Sequence, residues 1–319
     1  MKHYFTFLEE KEKDYKQIKF QDLAEFMEWL QNPYRNSKVI IATPMTSPLA
    51  PVTVNHTITV VTNFYDYLYR NDELPTDVSD KLMKQINVGG RHSYKGFLYH
   101  ITKGNPVSKN LLKVKVPKKK VETLEKEQVE KLIKATSNIR DEFLLRLLFE
   151  TGLRIGEVLS LHISDVKEVF KVGCHIQLVE RGELENGAEL KTNARKIEIS
   201  YDLKRLYDNY IYAVLEVLRP DNDFLFIKLK GENKGKPLEY AEVQSLFKRL
   251  KKKTGIDAHA HLFRHTHASI YYRETKDIKA VQERLGHAQI QTTMGIYVHL
   301  TDEEIRADWE KAQPAFQID

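Results

Sequence analysis

The sequence predicts a mainly α-helical protein with a small β-sheet, an α+β chain built in two parts. Three observations predict it. Apolar residues recur at helical spacing over most of the chain, period-two alternation is confined to residues 175–199, and a lysine-rich strap separates two patterned regions. The 319 residues suffice for two domains of ordinary size. Charged residues make up 30% of the chain and leave a formal balance of +5, which favours an anionic partner without naming one. Cys174 is the single cysteine, so an intrachain disulfide and a cysteine-ligated metal cluster are excluded. The opening soon meets Glu9, Glu10, Lys11 and Glu12, too charged for a signal peptide. No run of about 18 apolar residues occurs, so a cytoplasmic protein with no membrane span is expected.

Residues 1–108 read as a helical domain. Phe20, Leu23, Phe26, Met27 and Leu30 mark a helix over 18–31, and Pro44, Pro48 and Pro51 mark a loop. Ile58, Val61, Phe64, Tyr65 and Leu68 share one face of a helix over 53–70, and a further helix is expected over 92–102. The stretch 109–122 carries Lys109, Lys113, Lys115, Lys118, Lys119 and Lys120 around Pro117 and reads as a basic interdomain linker. Such a run is either a solvated segment or one that lies along phosphates. In the second domain, 123–319, Thr123 suits a helix N-cap, and Phe143, Leu144, Leu147 and Leu148 build an apolar helix over 140–150 that Gly152 stops. A short helix over 155–161 follows. Residues 175–178 and 196–199 alternate as strands around an Asn186-Gly187 turn. Helices resume at 203–218, 239–253, 261–272, 276–285 and 289–298.

Four segments concentrate cationic or protonatable groups at helix ends. In Thr151-Gly152-Leu153-Arg154-Ile155-Gly156-Glu157, Arg154 stands at a tight corner with Glu157 one turn on, and alone the two read as a surface ion pair. His261, Arg264 and His265 of HLFRH fall at i, i+3 and i+4 and share a helix face, while Leu262 and Phe263 point into a core. No glutamate occupies the intervening metalloprotease position. Leu285-Gly286-His287 places His287 just past a helix stop. Tyr297 sits among apolar neighbours, and alone it reads as a core aromatic.

The order and spacing of TGLRIGE, HLFRH, LGH and the terminal tyrosine resemble the signature of the tyrosine recombinase (phage integrase) family, strongly over residues 120–300 and by layout over the N-terminal part. The resemblance implies a helical core-binding domain followed by a mixed catalytic domain. It also implies a site-specific recombinase of the integrase or transposase type that cuts and rejoins DNA through a 3′-phosphotyrosyl link. Arg154 and Arg264 would hold the nonbridging oxygens with forked donors, Tyr297 would attack phosphorus, His261 would take its proton and His287 would bond the phosphate. The family also has a lysine on a β-hairpin that protonates the departing 5′-oxygen. Lys191 matches it best, with Lys196 as the fallback. Glu157 would orient Arg154, and His265 would support the site. Phe263 stands where the family commonly has leucine.

The partners implied are double-stranded DNA with specific sites and a homotetramer on paired sites. Ile305, Trp309 and Ala312 in a tail over 302–316 would dock on a neighbouring subunit or pack at home. An accessory DNA-bending or directionality factor and a nucleoid location are also expected. No metal, cofactor or ATP is expected, since the phosphotyrosine stores the bond energy. A type IB topoisomerase, a DNA-binding protein that has lost catalysis and a metal-dependent nuclease are the alternatives. The complete set Arg154, Lys191, His261, Arg264, His287 and Tyr297 argues against the second, and a chelation test separates the third.

Overall fold

A computed structural model describes residues 1–31, 49–75, 83–86, 107–110, 112–117, 122–171, 173–190 and 192–287. The chain divides into two compact units, Met1–Lys119 and Lys120–Asp319. In the first, helices α1 (Lys2–Glu10), α2 (Phe20–Gln31) and α3 (Pro51–Arg70) enclose an apolar core of Tyr4, Phe7, Phe26, Leu30, Ile58, Val61 and Tyr65. Pro51 suits the first turn of α3, where its missing N–H is not needed. The helices expected over 18–31 and 53–70 are thus present. Helix α1 was not anticipated, because its charged positions mask the buried row Tyr4, Phe7 and Leu8.

The unit is not all helical. Strands β1 (Met83–Ile86) and β2 (Val107–Asn110) pair antiparallel, with Met83 opposite Asn110 and Ile86 opposite Val107. The expected linker therefore begins inside this unit. Beyond β2, Leu112 is buried in the core, and the side chain of Asn55 bonds both the N–H and the carbonyl of Val114, at 2.8 and 2.9 Å. Those backbone bonds hold 112–114 against α3, which lysine content alone does not reveal. Lys113 and Lys115 are exposed. Lys118, Lys119, Lys120 and the helix expected over 92–102 lie outside the described residues.

The second unit begins with α4 (Lys126–Lys134). Glu125, not Thr123, is its N-cap, because the Glu125 N–H is taken by the Gln128 side chain at 2.9 Å. Helix α5 (Ile139–Thr151) starts where Asn138 accepts the Asp141 N–H and ends at Gly152, whose φ is 64°. Helix α6 (Ile155–Leu159) is shorter than the expected 155–161. Strands β3 (Val166–Val169), β4 (Gly173–Gln177) and β5 (Lys196–Ile199) form an antiparallel sheet in that order. The first of these carries no clear alternation, which is why it was missed. The described residues between β4 and β5, 178–190 and 192–195, are a folded excursion and not a tight hairpin. Asn186 is anchored there by bonds to the Leu159 and Leu238 carbonyls at 3.1 and 3.0 Å.

Helix α7 (Tyr201–Tyr210) runs through a π turn at Ile211–Leu215 into α8 (Glu216–Leu218), so the expected 203–218 helix is present with a local underwound turn. Helices α9 (Tyr240–Thr254), α10 (Ala260–Thr275) and α11 (Ile278–Leu285) complete the described unit. α5 lies at the centre, with Phe143, Leu144, Leu147 and Leu148 at 0–1% exposure packed among Ile176, Ile197, Tyr210, Phe226 and Phe263. Among the described residues no helix is long and apolar enough to cross a membrane. The helix expected over 289–298 and the tail lie outside the described residues.

Candidate active site

Three helix ends meet to form the site. The first is the αL turn at Gly152, which reverses the chain between α5 and α6. A Cβ at Gly152 would stand 2.5 Å from Cδ2 of His267 and 3.0 Å from Leu285, so both the positive φ and the close packing require glycine. The turn presents Arg154 as N-cap of α6, and Glu157 three residues on folds back to accept the Arg154 N–H at 2.9 Å. The second is the N-terminus of α10, where Nδ1 of His259 accepts the Leu262 N–H at 3.1 Å. The third is the C-terminus of α11, closed by Gly286 at φ 67° immediately before His287.

Glu157 is not part of a surface pair. It is 1% exposed and accepts from Arg154 Nη1 at 3.2 Å, Thr192 Oγ1 at 2.7 Å, Arg195 Nη1 at 3.2 Å and Arg195 Nη2 at 3.0 Å. Arg264 Nη1 stands 4.0 Å from the same carboxylate. Burial alone would raise the carboxyl pKa; the hydrogen bonds and charge of Arg195, with the Arg154 N–H and Thr192, outweigh it and hold the pKa below the usual carboxylate range. Three guanidiniums therefore share one carboxylate.

Arg264 is 1% exposed and donates to the carbonyls of Gly152 and Leu285, both at 2.8 Å, joining the first helix end to the third. Leu285 O also accepts from Arg154 at 3.4 Å and Arg195 at 3.2 Å. Carbonyls at a helix C-terminus carry partial negative charge, so cations collect there. Leu262 and Phe263 are buried as their positions predict. The rings of His261 and His265 meet edge to face at 4.3 Å between centroids.

Burial first, and then this positive charge, sets the histidines. Burial, then His261 and Arg264, push His265 down to about 4. Burial, then Arg264 and Arg154, push His287 down to about 4. Partial desolvation and then Arg264 lower His261. All three imidazoles are neutral near pH 7. Leu153, Arg154, Gly156, Glu189, His261 and Arg264 border an open cavity of about 1030 Å³.

Of the expected site residues, Arg154, Glu157, His261, Arg264, His265 and His287 fall in this one region. Lys191 and Tyr297 lie outside the described residues. Lys196, the fallback, is an exposed strand residue paired with Glu198 at 2.9 Å. Sequence reasoning missed Arg195, Thr192, His267 and Arg284. Nε of Arg284 donates to Nε2 of His267 at 3.0 Å, while Nδ1 of His267 bonds the Phe149 carbonyl at 3.0 Å. Burial and then Arg284 push His267 down to about 3. The one available signal for Arg195 was its place at the start of an alternating strand, two residues before the buried Ile197. Among the described residues, no group of three or more His, Cys, Asp or Glu side chains is arranged to hold a metal ion.

Comparison with known proteins agrees with this architecture. The phage integrase family matches residues 122–304. Over 313 residues the chain is 40% identical to transposase A from transposon Tn554 of Staphylococcus aureus, covering 98% of this chain and 83% of that protein. It is 32% identical over 199 residues to tyrosine recombinase XerA of Pyrococcus horikoshii, covering 62% of this chain and 64% of that one. Its fold is similar to that of the Tn1549 transposon integrase solved in complex with transposon right end DNA, with a TM-score of 0.64 at 19% identity over 94% of this chain and 87% of the other. The chain belongs to the phage integrase family, the tyrosine recombinases, enzymes that cleave and rejoin DNA strands at specific sites.

Proposed function

We propose that the chain is a mobile-element recombinase that cuts double-stranded DNA with Tyr297, leaving a 3′-phosphotyrosyl link and a free 5′-hydroxyl. The observation that carries this reading is the crowding of Arg154, Arg195 and Arg264 on the one carboxylate of Glu157 beside an open cavity. Such a surplus favours an anion, and phosphoryl transfer accumulates charge on nonbridging oxygens, where a positioned arginine is worth roughly 10³–10⁵ in rate. Arg154, whose side chain is 32% exposed, and Arg264, 1% exposed beside the same carboxylate, would hold those oxygens with forked donors.

A phenol needs a base to lose its proton near neutrality. His261, held neutral by its surroundings, is in the form that can take it. His287, also neutral, would donate to the phosphate, and Lys191 would protonate the 5′-oxygen. Glu157 orients Arg154, and His265 supports His261 across their ring contact.

On this reading the first unit is a core-binding domain, and Lys115 with Lys118–Lys120 runs along the DNA backbone. The solved Tn1549 complex with transposon right end DNA supports DNA as the partner. The protein works in the cytoplasm on the nucleoid, as a homotetramer on paired sites, with the tail beyond residue 302 docked on a neighbour and an accessory bending or directionality factor assisting. The test is covalent trapping. Wild-type protein incubated with DNA ends from its own genomic neighbourhood should give an adduct that survives denaturing electrophoresis. Tyr297→Phe should bind the same DNA and give none; an adduct persisting in the variant would move the nucleophile elsewhere.

A further inference from the structure

We propose that Arg195 is a positioning residue that fixes the segment holding Lys191 against Glu157 and the end of α11. The proposal rests on Lys191 being the acid for the departing 5′-oxygen, and it assigns Arg195 no contact with DNA.

The geometry gives Arg195 five hydrogen bonds, the full complement of a guanidinium. Nε donates to the Arg284 carbonyl at 3.2 Å, and Nη2 donates to the Leu285 carbonyl at 3.2 Å and to Glu157 at 3.0 Å. Nη1 donates to Glu157 at 3.2 Å and to Thr192 Oγ1 at 2.7 Å. The side chain is 12% exposed. With every donor directed at protein, this cation is arranged to hold parts together and not to grip a phosphate.

The parts it holds are informative. Thr192, which passes its own hydroxyl proton toward Glu157 at 2.7 Å, is the residue directly after Lys191. Leu190, directly before, is buried at 7% exposure. The two sequence neighbours of Lys191 are thus one side chain sunk in the core and one bonded to both Arg195 and Glu157. Gly286 also lies against Arg195, where a Cβ would stand 2.7 Å from Nη1, so the glycine before His287 makes room for this guanidinium. A single side chain ties together Thr192, the carboxylate that holds Arg154 and the turn that presents His287. Displacing a reacting group by about 1 Å can cost 10²-fold in rate.

Two variants test this, Arg195→Lys and Thr192→Val, each compared with wild type and Lys191→Ala. Lysine keeps the charge but cannot fork to five acceptors. Valine keeps the shape of threonine and removes only its hydroxyl bonds. Single-turnover cleavage is measured on ordinary DNA and on DNA with sulfur at the bridging 5′ position, whose departing thiolate needs little protonation. Melting temperature and DNA affinity are recorded alongside. Arg195→Lys should cleave ordinary DNA about 10²-fold more slowly and Thr192→Val about 10-fold more slowly, at unchanged affinity, and sulfur should restore most of each loss. If Lys191→Ala is rescued by sulfur while both variants lose equally on the two substrates, or lose nothing, the positioning role is wrong and the acid assignment stands. If sulfur fails to rescue Lys191→Ala itself, the acid assignment fails first. Should Arg195→Lys prove too unstable to assay, Thr192→Val alone decides, through the presence or absence of selective rescue.

Discussion

Replacing Glu157 with glutamine removes one negative charge from among three guanidiniums and turns one acceptor into a donor. The carboxylate is 1% exposed and accepts five hydrogen bonds: from the Arg154 backbone N–H, from Arg154 Nη1, from Thr192 and twice from Arg195. A glutamine keeps the volume, but its NH₂ must face groups that already donate. Breaking a buried ion pair on one side typically costs about 3–5 kcal/mol. For a unit of this size each kcal/mol lowers the melting temperature by roughly 2–4 °C, so a fall of roughly 6–20 °C is expected. Thermal and denaturant unfolding of Glu157→Gln and wild type at pH 7 measure it. The native carboxyl pKa is depressed by Arg195 and its neighbours, so this stabilisation is fully present above the unfolded value of 4.5 and is lost as pH falls through the lower folded value. The gap between the two proteins should therefore persist down to the usual carboxylate range and close only in stronger acid. Inorganic phosphate should stabilise the variant more than the wild type, because it supplies the missing negative charge. A loss below about 1 kcal/mol, the range of an exposed pair, would refute the reasoning.

Two further outcomes are expected. Buried His267 is held neutral at about 3 and half-buried His287 at about 4, both below the ordinary 6.5, so the unfolded chain binds more protons than the native one in acid. Stability should fall as pH drops from about 6.5 toward those values, by up to about 1.4 kcal/mol per pH unit for each fully neutral site, and a denaturation midpoint flat between pH 7 and 5 would contradict it. Replacing Lys118, Lys119 and Lys120 together with glutamine should reduce the slope of log affinity against log salt by up to roughly 0.9 per lost phosphate contact; an unchanged slope would return the strap to a solvated segment.

Much of the fold was legible because its cues are local. The apolar row of α5 and the stop at Gly152 survive in the structure with their boundaries nearly intact, as does the strand pair around Ile176 and Ile197. What failed depended on partners distant in sequence. Leu112 and Val114 looked like linker because what holds them is distant in sequence: Leu112 joins a core of residues no nearer than Leu74, and Asn55 lies 59 positions from Val114. Thr123 looked like a cap because composition cannot show that Gln128 reaches back to the Glu125 N–H instead. The site divides the same way. Arg154, Glu157, His261, Arg264 and His287 announce themselves by order and spacing. Arg195 and Arg284 do not, since one sits in a charged stretch, Lys191 to Lys196, and the other in a helix that reads as an ordinary amphipathic surface.

The ordered segments are as much scaffold as chemistry. Leu285 shows why. Its side chain is fully buried beside Ala268 and Val281, and its carbonyl collects Arg154, Arg195 and Arg264, one from each of three separate stretches of chain. Those three cations would repel one another in isolation. They are held together by one carboxylate, by the partial negative charge at the end of α11 and by the neutrality of the histidines between them. Two glycines make the approach feasible: Gly152 against His267 and Gly286 against Arg195, where any side chain would collide. The glycines in TGLR and LGH thus set the distance between charges, while the arginine and histidine beside them supply the charges. A phosphodiester brought to this cluster would meet three guanidiniums that share one carboxylate, and its negative charge complements theirs.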